Sequence, residues 1–340
     1  MARIVLGLGS SHGPLLSTPP ERWDLRAEDD RKNPHHPYRG KVCTFQELVE
    51  IRDGEKDFHK EMSLETRQSR HERNQRALDR LAQRMAEIDP DVVVIVGDDQ
   101  HEWFLNEVQP SFTVYCGDQV VNAGLDQEKM KTKSPGIVIA MSGYYPPEDH
   151  VYPGAAELAN AIIEQAMEDE FDVAVSAEQP TNARGLIGIG HAFAFIYRRI
   201  LKDRPVPLVP ILLNTYFPPN QPSTRRCHAF GRSIGRAIAG WNGANAGKRV
   251  AVCASGGISH FVVDEEFDTR MLTAIKDHDT DTIFAVPENI FRSGTSETKN
   301  WITVAGILSE SGLNMNLIDY VPAYRSEAGT GCGMAFATWD

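Results

Sequence analysis

The sequence contains few cysteines and no closely spaced pair of them. Its 340 residues include five cysteines, each isolated in the chain. This scatter argues against a disulfide framework and against a zinc site built from thiolates. Any metal in this protein would have to be held by imidazoles and carboxylates.

Positive charge and long apolar runs are also scarce. Acidic residues outnumber basic ones by 47 to 35, which gives a net charge of −12. This balance argues against nucleic acid or an anionic membrane as the main partner. No run of 18 apolar residues occurs, and the N-terminus lacks the pattern of a signal peptide. The composition therefore predicts a cytoplasmic protein without a membrane segment.

The apolar pattern predicts an α/β fold, in one domain that covers residues 1–340. Short apolar runs at 3–9, 92–96, 206–214 and 248–255 are typical of strands that are buried on both faces. Residues 63–88 show the spacing of a long amphipathic helix. Residues 21–60 are polar and look irregular. We expect a central, mostly buried β-sheet flanked by helices, with the active site at the C-terminal ends of the strands.

Histidines follow three of the predicted strands. His12, His101 and His260 each come shortly after an apolar run, and His191 lies in a glycine-rich turn. Taken alone, a histidine in such a position is usually an ordinary hydrogen-bonded loop residue. Four of them, together with an acid at a helix start, are more than core packing requires. The sequence therefore predicts a site where these strand ends meet.

The acid is Glu297, in the first turn of a helix that Thr295 or Ser296 is expected to cap. Its simplest role is to interact favourably with the helix dipole. Two imidazoles and one carboxylate also form the ligand set of non-haem Fe(II) oxygenases, and the same set with a water describes hydrolytic zinc sites. Spacing alone does not choose between the two metals.

Five segments, in order along the chain, resemble the motifs of one family. They are SSHGPLLSTPP, VVVIVGDDQHEWF, GIGHAFAF, GGISHFVV and GTSETKNWITVAG. Together they look like the motifs of class III extradiol catechol dioxygenases, the superfamily of the protocatechuate 4,5-dioxygenase β subunit and of the gallate and 3-O-methylgallate dioxygenases. The resemblance runs from residue 3 to about residue 310.

This resemblance implies an enzyme that opens a catechol ring with O2 and uses Fe(II). It implies that His12, His101 and Glu297 are the iron ligands. It further implies that His260 is the catalytic acid/base and that His191 is a second active-site histidine near the substrate hydroxyls. An imidazole suits such proton exchange at neutral pH.

At two places the assignment of the family's functional residues to this sequence leaves alternatives. Glu265 and Glu266 compete with Glu297 for the place of the acidic ligand. The family's second histidine motif commonly reads Asn-Asp-His, whereas this chain has Asp99, Gln100 and His101. This departure concerns the residues around the metal ligands, which orient the substrate.

The resemblance also implies a catecholic acid as substrate, of the protocatechuate, gallate or 3-O-methylgallate type. Candidate partners for its carboxylate are Arg39, Lys41, Tyr216 and Arg325. We expect a homodimer, and some relatives use a separate small α subunit. The alternative interpretation is a zinc-dependent hydrolase, or a metal-binding interaction protein, on the same fold.

Overall fold

A computed structural model describes residues 1–183 and 185–340, without the side chains of residues 127 and 129. The strands are β1 (Arg3–Ser10), β2 (His36–Tyr38), β3 (Lys41–Cys43), β4 (Val92–Asp98), β5 (Phe112–Tyr115), β6 (Gln119–Asn122), β7 (His150–Pro153), β8 (Ala174–Ser176), β9 (Thr181–Asn182), β10 (Gly185–Leu186), β11 (Leu208–Leu213), β12 (Arg249–Ser255), β13 (His260–Val262), β14 (Met315–Tyr324) and β15 (Thr330–Trp339).

The helices include one long amphipathic helix, α4, which confirms the prediction for residues 63–88. They are α1 (Asp24–Lys32), α2 (Phe45–Ile51), α3 (Phe58–Glu61), α4 (Leu64–Ile88), α5 (Gln127–Met130), α6 (Pro135–Met141), α7 (Ala156–Glu168), α8 (His191–Phe195), α9 (Thr224–Gly240), α10 (Glu265–Lys276), α11 (Thr280–Ala285) and α12 (Thr298–Leu308). A 3-10 turn, Ser293–Glu297, leads into α12. No helix in the described part of the chain is long and apolar enough to cross a bilayer.

Nine strands form one mixed sheet in the order β13-β15-β1-β12-β4-β11-β5-β8, with β14 paired to β15. The four strands β1, β12, β4 and β11 run parallel to one another. Their carboxyl ends therefore lie along one edge of the sheet, where ligand sites of α/β proteins are found. The flanking strands β15 and β5 are antiparallel to their neighbours β1 and β11.

The sheet is buried on both faces. Val92, Val94 and Val96 of β4 lie in a cluster with residues of α9 and α12. Val93 and Ile95 point to the opposite face, because side chains alternate along a strand, and lie in a cluster with residues of α4 and α8. This burial on two sides accounts for the uninterrupted apolar runs, and it confirms the predicted α/β fold.

The structure corrects two expectations about local structure. The segment 21–60, which looked irregular, contains α1, α2 and the β2–β3 hairpin. Thr44 caps α2 in a reciprocal capping box with Glu47, a T-x-x-E signal readable in the sequence. The predicted capping of the last helix was wrong, because α12 begins at Thr298, its N-cap residue is Glu297, and no side chain caps it.

Gly9 of β1 lets α12 pack against the sheet. A Cβ atom placed on Gly9 would overlap the indole ring of Trp301. Trp301 is fully buried and donates a hydrogen bond from Nε1 to the carbonyl of Gly256 at 2.8 Å. The missing side chain therefore fixes how closely α12 approaches β1, and the turn just before α12 carries Glu297.

We predict that Gly9→Ala lowers the free energy of unfolding by about 1–3 kcal/mol, the usual cost of overpacking a core. The matched control is Gly240→Ala at the exposed end of α9, where an added Cβ meets no atom within 4 Å. Urea denaturation of both variants measures the effect. Equal stability of the two variants would show that Trp301 can move away without cost.

Candidate metal centre

His12 follows β1 and is buried at the carboxyl edge of the sheet. Its Nδ1 lies 2.9 Å from the hydroxyl oxygen of Ser255, at the end of β12. Ser255 donates its one hydroxyl hydrogen to the carbonyl of Ala192 at 2.6 Å, so it must accept from His12. The Nδ1 of His12 therefore carries a hydrogen, and in the neutral ring Nε2 is left with a free lone pair.

Glu297 faces this lone pair. Its Oε2 lies 3.3 Å from Nε2 of His12 and accepts a hydrogen bond from the backbone N–H of Gly257 at 2.9 Å. Burial alone would raise the pKa of Glu297, but the charge of His260 leads the effects that outweigh burial and hold the pKa well below its usual value. Glu297 is therefore an ionised carboxylate with only 2% of its surface exposed.

His260 binds the other oxygen of the same carboxylate. Its Nε2 lies 2.9 Å from Oε1 of Glu297. The hydroxyl of Thr295 accepts a hydrogen bond from the backbone N–H of His260 and donates one to its carbonyl, which ties β13 to the turn before α12. Burial would lower the pKa of His260, but the Glu297 carboxylate raises it well above the ordinary value.

His191 is the first residue of α8, as the glycine-rich turn before it suggested. Its ring centroid lies 4.7 Å from that of His12. Glu102 accepts hydrogen bonds from both Nδ1 (3.0 Å) and the backbone N–H (2.8 Å) of His191. Burial would lower the pKa of His191, but Glu102 outweighs it and raises the pKa to about 10.

His101 lies apart from these residues. It has a left-handed backbone conformation, with φ of 59°, and its ring stacks on Phe217 at a centroid distance of 3.5 Å. One ring nitrogen contacts the side-chain amide of Gln109. The structure therefore brings four of the five predicted residues together and places His101 outside the group. Its role as a metal ligand stays a prediction.

Gln100 occupies the place at the end of β4 that faces Glu297. Its Nε2 donates to Oε1 of Glu297 and to Oδ2 of Asp98, both at 3.0 Å. Asn300 of α12 donates to the other oxygen of Asp98 at 3.0 Å. Burial, followed by the charge of Glu297, raises the pKa of Asp98. The sequence reasoning missed this supporting role of Gln100, although the departure from Asn-Asp-His pointed to the position.

Glu265 and Glu266, the competitors of Glu297, lie in α10 and pair elsewhere. Glu265 contacts Lys56 and accepts a hydrogen bond from Tyr324, and Glu266 pairs with Arg39 on the surface. Neither belongs to the cluster around His12.

The residues fit a divalent metal ion. Within the described residues, His12, His191 and Glu297 form the one group of three whose ligand atoms all lie within 4.8 Å of one another. The buried Nε2 of His12 has no hydrogen-bond partner, although it faces a carboxylate. A cation between this lone pair and the carboxylate would satisfy both groups. Two nitrogens and one oxygen suit Fe(II) and also Zn(II).

Comparisons with known proteins agree with this chemistry. The curated relatives with which the chain aligns include proteins named 2,3-dihydroxyphenylpropionate/2,3-dihydroxicinnamic acid 1,2-dioxygenase. The protein of this name from Burkholderia vietnamiensis is 29% identical over 189 residues, which cover 56% of this chain and 48% of the relative. The one from a Mycobacterium species is 31% identical over 176 residues, covering 52% of this chain and 45% of the relative. The aligned part spans about half the length of these relatives.

A family model described as the catalytic LigB subunit of aromatic ring-opening dioxygenase matches residues 59–331. This match includes His101, His191, His260 and Glu297, whereas His12 lies before the matched residues. Because the match covers well over half of the sequence, the chain belongs to this family of aromatic ring-opening dioxygenases.

Proposed function

We propose that this protein is an extradiol dioxygenase that opens the ring of a carboxylate-bearing catechol with O2 and Fe(II). Family membership supports the reaction class. The observation that carries the proposal is the position of His260. Its Nε2 lies 2.9 Å from the carboxylate of Glu297. Glu297 is one of the three candidate metal ligands. This places an imidazole that can exchange protons next to a candidate metal ligand, which a dioxygenase requires and metal binding alone does not.

His260 is the acid/base of the proposed reaction. Its Nε2 now shares a hydrogen with Glu297, and its Nδ1 is buried without a partner. In the reaction, His260 takes the proton of a catechol hydroxyl and later returns a proton as the ring opens. The nitrogen that receives the proton is Nδ1, and Glu297 stabilises the positive charge that the ring then carries.

When bound, Fe(II) would supply the one-electron chemistry that allows a diol to react with dioxygen. His12 and Glu297 are the ligands on which the sequence prediction and the structural cluster agree. Both atoms of O2 end in the ring-opened product, so the reaction needs no external reductant. The chain contributes orientation, charge balance and exclusion of water.

The substrate class rests on two supports. The relatives are named for catechols with a carboxylate-bearing chain, and the sequence motifs resemble those of enzymes for catecholic acids.

Two candidate partners for the substrate carboxylate already pair with other residues. Arg325 is buried in a bidentate pair with Asp30, and Arg39 pairs with Asp264. The hydroxyl of Tyr216 lies 3.2 Å from that of Ser293, at the start of the turn that ends with Glu297. We propose Tyr216 as the carboxylate partner.

We predict that anaerobically prepared, Fe(II)-loaded protein consumes one O2 per diol with at least one member of a panel. The panel contains protocatechuate, gallate, 3-O-methylgallate, 2,3-dihydroxyphenylpropionate and unsubstituted catechol. An oxygen electrode and the absorbance of the ring-opened product measure the reaction.

Zn(II)-loaded protein is the control, because zinc has no redox chemistry. Ester hydrolysis by the zinc form, without any O2 uptake by the iron form, would favour the zinc hydrolase. Bound metal with neither reaction would favour the metal-binding interaction protein.

We further predict that His260→Ala lowers kcat by roughly 10²–10⁴-fold, the usual contribution of a positioned acid/base. Metal content should stay that of the wild type, because the cluster of ligand atoms does not include His260. The matched control is His35→Ala, which removes an exposed imidazole between α1 and β2. Wild-type kcat in His260→Ala would show that another group moves the proton.

A further inference from the structure

We propose that His191, rather than His101, supplies the second imidazole ligand of the metal, with Glu102 as the carboxylate that orients it. The ligand set of this chain is then His12, His191 and Glu297. This inference rests on the proposed function for the identity of the metal, and it concerns residues whose geometry is visible in the protein itself.

The first argument is the direction of the imidazole lone pairs. Ser255 takes the Nδ1 hydrogen of His12, which turns the free Nε2 towards Glu297. Glu102 already accepts the backbone N–H of His191, and a carboxylate oxygen accepts hydrogen bonds. It therefore takes the Nδ1 hydrogen of His191, and Nε2 is again the nitrogen left for a ligand. In both rings Nε2 is therefore the nitrogen available to a metal ion, and both rings belong to the same cluster of candidate ligands.

The second argument is that both rings have the outer partner typical of metal-bound histidines. A ligating histidine nearly always donates its other ring N–H to a carboxylate, a carbonyl or another polar group, which fixes the tautomer and the ring orientation. Glu102 does this for His191 and also accepts from its backbone N–H and from the hydroxyl of Tyr145 at 3.2 Å. Three donors hold this carboxylate in place, so the ring it binds is held as well.

The third argument concerns the end of β4. His101 has a left-handed backbone conformation, and its ring stacks on Phe217 and contacts Gln109. Gln100 points at Glu297 instead, and its amide N–H groups are shared between two carboxylates, Glu297 and Asp98. Gln100 therefore donates a hydrogen bond to the acidic ligand, and the imidazole that lies within ligand distance of both His12 and Glu297 is that of His191.

The experiment compares metal binding in His191→Ala and His101→Ala. Each purified protein is titrated anaerobically with Fe(II), and separately with Co(II), and the bound metal is measured after gel filtration. We expect His101→Ala to bind one metal per chain like the wild type and His191→Ala to bind at least 100-fold more weakly. Retained metal in His191→Ala together with lost metal in His101→Ala would overturn the assignment.

Two further variants keep the test decisive. His191→Gln removes the imidazole but keeps a polar side chain at the start of α8, and a thermal melt checks that it folds. Glu102→Gln keeps the shape of the orienting group and removes its charge, and we expect it to weaken metal binding roughly 10–100-fold. Unchanged Co(II) affinity and an unchanged Co(II) absorption spectrum in both variants would contradict the inference.

The proposed function and this inference fail in different ways. If Fe(II) binds through His191 but no diol is cleaved, the ligand assignment stands and the dioxygenase proposal falls. If diols are cleaved by wild-type protein and His191→Ala still binds iron normally, the function stands and the assignment falls.

Discussion

The buried Glu297 carboxylate is the group around which the site is arranged. An ionised carboxylate out of contact with water is costly unless charges and hydrogen bonds compensate it. Here one oxygen meets His260 and Gln100, and the other meets His12 and the backbone N–H of Gly257. Segments that are distant in sequence, following β1, β4 and β12, therefore converge on one acid.

Packing keeps these segments in register. Parallel pairing of β1, β12 and β4 aligns their carboxyl ends, and Gly9 leaves room for Trp301 of α12. Trp301 lies one helical turn beyond Glu297, so its contact with β1 and its hydrogen bond to Gly256 set the position of the acid. The apolar core thus determines distances within a polar site.

Much of this was predictable from the sequence, and the remainder has definite physical reasons. Uninterrupted apolar runs predicted the central strands, and strand-end histidines predicted the edge at which the site lies. The sequence did not reveal that His101 adopts a left-handed conformation and stacks on Phe217, because periodicity does not predict the backbone torsions of individual loop residues. Nor did periodicity reveal that Glu297 ends a 3-10 turn, since α12 starts without a side-chain cap.

The balance of charge explains why such a site suits a divalent cation. Glu297 and Glu102 are held ionised, and their charges raise the pKa values of His260 and His191, so protons on imidazoles offset the buried negative charge. A metal ion needs imidazole lone pairs, so its binding displaces protons and takes over their role. His12 already has its lone pair directed inwards by Ser255. The hydrogen-bond network therefore presents the lone pair of His12 to a metal ion, whereas His191 must give up a proton when the metal binds.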